Sequence, residues 1–139
     1  MAGASRNDRM LAAVHRVLDR DEEIVDQGRC WAATRRANVP LLFLGRHLYY
    51  VVLTDRRILL FSRRRGTLRP DDVVLVKRYG ALTLDSERHH GPLLQQRIHT
   101  DTGTAMVIEW QPRFRRLGDL LADELDRSAH EAYPPRPTR

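Results

Sequence analysis

Apolar positions along this chain recur with two periods, one near four and one of two. Met10, Leu11, Val14, Val17 and Leu18 share one helical face behind Asn7 or Asp8 as a cap. This predicts an amphipathic helix to about Arg20, with Asp21-Glu22-Glu23 as a polar break. From Ile24 to about Thr34 the pattern alternates as in a strand, with Ile24, Cys30 and Trp31 as core candidates. Leu48–Leu53 and Ile58–Phe61 flank Thr54-Asp55-Arg56-Arg57. Both runs are β-branched and aromatic, and a short polar break between such runs reads as a β-hairpin. Leu48, Tyr50 and Val52 lie on one face, with Tyr49, Val51 and Leu53 on the other. Both faces are apolar, so this strand is expected to be covered on both sides, the outer one by the first helix.

Val73–Val76 reads as a fourth strand, Gly80 as a turn, and Leu82 to Asp85 as a fifth strand. Ser86–Pro92 is polar with turn residues and is expected to be a loop. Leu93–Thr100 and Thr104–Trp110 flank Asp101-Thr102-Gly103, a second hairpin in which Gly103 supplies a positive φ. Met106, Ile108 and Trp110 share one face of its last strand. Pro112 suits a helix start, and Phe114, Leu117, Leu121 and Leu125, with Leu120 beside them, predict an amphipathic helix over Arg113–Arg127. Pro40 argues against a central strand at Val39–Gly45, which reads as a long, partly apolar connection. Its leucines either fold over a sheet face or meet a membrane or second protein. The proline-rich tail after Tyr133 is expected to be disordered.

A helix, seven strands and a closing helix suggest a pleckstrin-homology (PH)-like barrel: a curved antiparallel sheet, open at one end, plugged by a C-terminal amphipathic helix. The run Val51-Val52-Leu53-Thr54-Asp55-Arg56-Arg57-Ile58-Leu59-Leu60-Phe61 resembles the bacterial PH-like domains and, through them, the GRAM-type domains. The acidic entry Asp21–Val25 and the closing run Phe114–Leu125 are similar to theirs, and the likeness spans roughly residues 24–127. The resemblance implies a non-enzymatic binding or scaffolding module; some members associate with membranes and some assemble into oligomers. Eukaryotic PH domains that hold phosphoinositides use basic residues after the first strand and beside it. The matching positions here are Arg35, Arg36 and Arg46, whose spacing departs from the dense basic motif of those domains.

With 139 residues, one folded domain is expected over 22–128, after a helical flank at 1–21 and before a tail at 129–139. Cys30 is the single cysteine, so a reducing, cytoplasmic setting is the economical expectation. No signal peptide is visible. The longest apolar stretch, Val39–Leu53, is broken by Gly45, Arg46 and His47 and is too short and polar to span a bilayer. The formal net charge is +6, yet residues 35–78 alone carry +8. All cations but Lys77 are arginine, which codon bias explains as simply as an anion-facing surface does.

Candidate chemistry follows from that charge. Arg63-Arg64-Arg65 repel one another unless water or an anion screens them, which suits salt-sensitive phosphate contacts. With Arg35, Arg36 and Arg46 they form the expected anionic-ligand or lipid site, and Leu41, Leu42, Phe43 and Leu44 the apolar contact loop. Arg56 and Arg57 are expected to lie over the sheet edge while Asp55 accepts turn hydrogen bonds. Arg113, Arg115 and Arg116 sit at a helix start, against the helix dipole. Either Arg115 pairs with Asp119 and Asp123 with Arg127, or the arginines and helix N–H groups form a site for an anion or acidic partner. His89, His90, His99, Asp85 and Glu87 lack metal-ligand spacing, and Ser86 lacks a nucleophile motif, so no metal, cofactor, small-molecule substrate or catalysis is expected. The expected partner is an anionic membrane surface or a membrane-associated protein, which would place the protein at the inner face of the cell membrane. A protein-interaction or self-assembling module, including a homo-oligomer, is the alternative. Nucleic acid ranks behind both, because aromatics are few and not interleaved with the basic runs.

Overall fold

The computed structural model describes residues 6–35, 47–62 and 73–132. Helix α1 (Arg6–Val17) is followed by β1 (Ile24–Arg35), β2 (His47–Thr54), β3 (Arg57–Ser62) and β4 (Val73–Arg78). Then come β5 (Leu82–His90), β6 (Leu93–Thr100), β7 (Ala105–Trp110) and helix α2 (Arg115–Ala132). Tight turns of 3-10 helix at Tyr79–Ala81 and Pro112–Phe114 join β4 to β5 and β7 to α2. The seven strands make one antiparallel sheet in the order β4-β3-β2-β1-β7-β6-β5.

The two-sided apolar pattern of β2 and β3 has the expected consequence. Val51, Leu53, Ile58 and Leu60 point into the barrel with Cys30, Ile98, Ile108 and Trp110. Tyr50, Val52, Leu59 and Phe61 point outward and pack under Ala13 and Val14 of α1, with Val17 and Leu18 partly buried beside them. Each fully buried aliphatic side chain contributes roughly 1.5–3 kcal/mol, so the hairpin anchors both layers. Leu117, Leu121 and Leu125 of α2 fill one end of the interior.

Backbone closeness fixes α2 there. A Cβ on Gly28 would come within 2.5 Å of Leu117, and one on Gly118 within 2.7 Å of Trp110. Gln96, fully buried, accepts the Trp110 indole N–H at 2.8 Å and donates to the Gly118 carbonyl at 2.8 Å. Strand, core and helix are thereby joined through one amide.

Three boundaries differ from expectation. The predicted loop at Ser86–Pro92 is instead the second half of β5, which pairs with β6 as far as His90↔Leu93. An edge strand exposed from Asp85 to His90 has no covered face, so it shows no apolar alternation. The turn is only Gly91-Pro92, with Gly91 at φ +57° as a two-residue hairpin turn requires. Helix α2 runs on to Ala132, past the stripe that ends at Leu125 and past the expected helix end at Arg127. Helix α1 stops at Val17 rather than Arg20, because Glu22 folds back to accept the Asp19 amide at 3.0 Å. The second hairpin forms as expected, with Gly103 at φ +86°. The tail after residue 132 lies outside the described residues.

Candidate functional site

The first two hairpins bring four strand ends to one place. Ala32 pairs with His47, Tyr49 with Ser62 and Phe61 with Val73. The end of β1, both ends of the β2–β3 pair distal to its turn, and the start of β4 therefore share one end of the sheet. Arg35↔Ala105 adds the β6–β7 turn. The connections spanning 36–46 and 63–72 both begin and finish at this mouth. Arg36, Arg46, Arg63, Arg64, Arg65 and the apolar run Leu41–Leu44 lie outside the described residues. Arg35 is described only by its backbone place at the end of β1.

Beside the mouth the barrel has a seam. β4 and β5 end the sheet and have no ladder between them. Near it, Lys77 Nζ of β4 lies 2.9 Å from Asp101 Oδ1 of the β6–β7 turn, and the Asp101 N–H donates at 2.8 Å to the carbonyl of Ala81 in the turn between β4 and β5. The ion pair holds the Asp101 carboxyl below its ordinary range. Behind it lies a cavity of about 310 Å³. Its apolar lining includes Ala32, Tyr49, Leu60, Leu75, Met106 and the exposed Val74, and its polar lining is Lys77, Thr100, Thr102 and Thr104.

The opposite end holds a charged clasp that sequence periodicity did not reveal. Ile24 pairs with Thr54, so the acidic entry to β1 lies against the β2–β3 turn. Arg57 Nε donates to Glu22 Oε2 at 2.8 Å and Nη2 to Oε1 at 2.7 Å; a further N–H reaches the Val17 carbonyl at 3.1 Å. Thr54 Oγ1 donates to Glu22 Oε2 at 2.6 Å and accepts the Arg56 and Arg57 amides. Burial alone would raise the Glu22 carboxyl. Hydrogen bonds from Arg57, Thr54 and the Asp19 amide, with the Arg57 charge, outweigh it and bring the pKa to about 2. Arg56 pairs with Asp21 at 2.7 Å, and Asp55 Oδ1 accepts the Glu23 amide at 3.1 Å. The expected roles thus change: Thr54, not Asp55, holds the turn amides, and the arginines bind the β1 entry rather than lie over a sheet edge. The buried Tyr79 hydroxyl donates to the Thr54 carbonyl at 2.6 Å and completes the knot.

At the start of α2, Arg113 and Arg29 flank Phe114, with guanidinium carbons 5.5 and 5.7 Å from the ring centre. Arg116, 84% exposed, lies 3.7 Å from Asp26. The expected Arg115–Asp119 and Asp123–Arg127 pairs do not form among the described residues; Arg127 pairs with Glu124, one residue closer. His99 Nδ1 lies 2.7 Å from Asp85 Oδ1 on the exposed β5–β6 face, and no metal-ligating group of three is found among the described residues. Cys30 is 1% exposed and burial pushes its thiol up to about 12, as fits a core residue.

No family model and no curated protein sequence matches this chain. Solved structures do. An Slm1 PH domain crystallised with phosphoserine aligns over 76% of this chain and 91% of its own, at 12% identity and TM-score 0.47. Vav1 with an allosteric inhibitor aligns over 93% of this chain and 24% of its own, at 13% identity and TM-score 0.54. A truncated linker-DH/PH form of p115-RhoGEF aligns over 84% and 33%, at 13% identity and TM-score 0.54. The chain spans a quarter to a third of the length of those two exchange-factor chains. The fold, a seven-stranded antiparallel sheet closed by a C-terminal helix with an N-terminal helix added, is PH-like, as the likeness to the p115-RhoGEF DH/PH chain shows. Among the described residues no helix is long and apolar enough to cross a membrane.

Proposed function

We propose that this chain is a non-enzymatic PH-like binding module that holds an anionic membrane surface at the barrel mouth. Arg35, Arg36, Arg46 and Arg63–Arg65 face the headgroup phosphates, and Leu41–Leu44 enter the interface. The observation that carries this reading is the shared end of β1, β2, β3 and β4. Two connections remote in sequence, one apolar and basic, one basic, start and finish side by side there. A cytoplasmic protein peripheral to the inner face of the membrane follows from the same reading.

A protein or second copy as the partner is the other reading. It is supported by β4, an edge strand with Val74 56% and Val76 36% exposed. Arg113, Arg115 and Arg116 are a separate candidate for an acidic partner.

Flotation with phosphatidylcholine vesicles, with and without phosphatidylserine, across a salt series separates these. Binding is expected only with the anionic lipid and to fade with salt. Each arginine near an anionic surface is worth about 1 kcal/mol, so Arg63→Ser/Arg64→Ser/Arg65→Ser should weaken binding about a hundredfold. No flotation at low salt sinks the membrane reading and leaves the protein partner in its place.

A further inference from the structure

The seam cavity points to a ligand that the arginines do not address. We propose that it binds a single-chain amphiphile with an uncharged oxygen head, such as a fatty alcohol, its alkyl chain lying against Ala32, Leu60, Leu75 and Met106. Among the described residues, the side chains around it leave this space. Helix α2 packs at Gly28 and Trp110, toward the other end of the sheet, and its leucines fill that end. Here the inward position of the central strand is Ala32, 4% exposed, a side chain too small to reach across. The resulting cavity of about 310 Å³ is lined by both apolar and polar side chains, the mixture an amphiphile matches.

The polar side selects the head. Lys77 and Asp101 neutralise each other at 2.9 Å. A carboxylate head would have to displace Asp101 or face its charge, and an ammonium head would face Lys77. An uncharged hydroxyl meets neither cost. Thr100 Oγ1 is already taken by the Thr104 amide at 3.1 Å and Thr102 Oγ1 at 2.8 Å. Thr104 Oγ1 has no hydrogen-bond partner among the described residues and is the group to meet the head. The site uses no arginine, so it stands apart from the membrane reading, and failed flotation leaves it untouched.

The test is a methyl NMR titration of the full chain, below micelle concentrations, with 1-octanol, 1-decanol, decanoate and decyltrimethylammonium. Saturable shifts are expected at the Met106, Leu75 and Leu60 methyls and not at Val14. Each buried methylene multiplies affinity about fourfold, so decanol should bind about fifteenfold tighter than octanol. Both ions should bind at least tenfold more weakly than decanol. Ala32→Leu fills the cavity and should abolish the shifts. If that variant does not fold, Leu75→Trp on the half-buried edge strand carries the test, with Val76→Thr on the outer face as the unaffected control. Non-saturable shifts, shifts centred on Val14, or a cavity-filling variant that binds as before would overturn the site. Decanoate binding as tightly as decanol would overturn the uncharged head.

Discussion

Glu22 is the buried centre of the clasp, held by Arg57, Thr54 and the Asp19 amide. Its side chain is wholly buried and its partner Arg57 is 16% exposed, so removing either leaves a poorly solvated charge. Breaking such a pair costs about 3–5 kcal/mol, and Arg57→Ala should lose about 3 kcal/mol in urea unfolding, the lower end because Arg57 keeps some water. The pH dependence follows from the depressed carboxyl. Its folded pKa, about 2, lies below the ordinary 4.5, so the stabilisation is complete above 4.5 and is lost as pH falls through 2. The shift corresponds to about 3 kcal/mol. Glu22→Gln should flatten the acid limb of stability between those values, as measured by urea midpoints from pH 6 to 2; an unchanged limb would place the acid sensitivity elsewhere. Cys30 gives a second readout at this scale. With its thiol buried and pushed up to about 12, iodoacetamide at pH 7.5 should label it only through global unfolding. Labelling that is fast in native protein and insensitive to destabilising variants would contradict the core placement.

Between elements, the contact that sets the fold is α2 on the sheet. Helix propensity alone would favour Gly118→Ala by about 1 kcal/mol. A Cβ there meets the Trp110 indole at 2.7 Å and Leu94 at 3.0 Å, both buried, with Trp110 held by Gln96. Overpacking of this kind costs about 1–3 kcal/mol, so Gly118→Ala should be net destabilising, by about 1–2 kcal/mol. At Gly28 the added methyl meets the Leu117 Cδ1 methyl at 2.5 Å and the ring edge of Phe114 at 2.6 Å, and Phe114, half-buried, can turn toward solvent. Gly28→Ala should therefore cost less than Gly118→Ala in the same urea assay, and the reverse order would mean that α2 sits elsewhere. These close approaches were not legible in the sequence, because a glycine's neighbours have no period. The layers were legible. Two apolar faces on Leu48–Leu53 require two covers, and α1 and the barrel interior supply them. The start of β5 was legible from Leu82 and Leu84; its second half was not, since a stretch of edge strand exposed on both faces is polar and looks like a loop. The clasp was half legible: Asp21–Glu23 and Arg56-Arg57 are visible as charge runs, but only the Ile24↔Thr54 register places them together. For the proposed mouth, the sequence offers basic and apolar runs far apart in the chain; that the two connections carrying them leave from one end of the sheet appears only when the hairpins pair.

Across the whole molecule, β1 holds apart two places where arginines are described. Arg116 lies by Asp26 near the start of that strand, and Arg35 ends it. Nine residues of strand at about 3.3 Å each separate them by roughly 30 Å, several Debye lengths in physiological salt. This separation allows site and net charge to be tested independently. Arg63→Ser/Arg64→Ser/Arg65→Ser and Arg113→Gln/Arg115→Gln/Arg116→Gln each remove three cations and take the formal charge from +6 to +3. Attraction by net charge alone would weaken both variants equally on anionic vesicles. Binding through the mouth predicts a loss of about a hundredfold for the first and a change within about twofold for the second, because that triplet sits at the start of α2, with Arg116 by Asp26 at the far end of β1. Flotation of the two variants side by side, at matched salt, decides between them. Equal losses would mean that the membrane senses the protein's charge and not its mouth, and the basic connections would then be no more than its most charged segments.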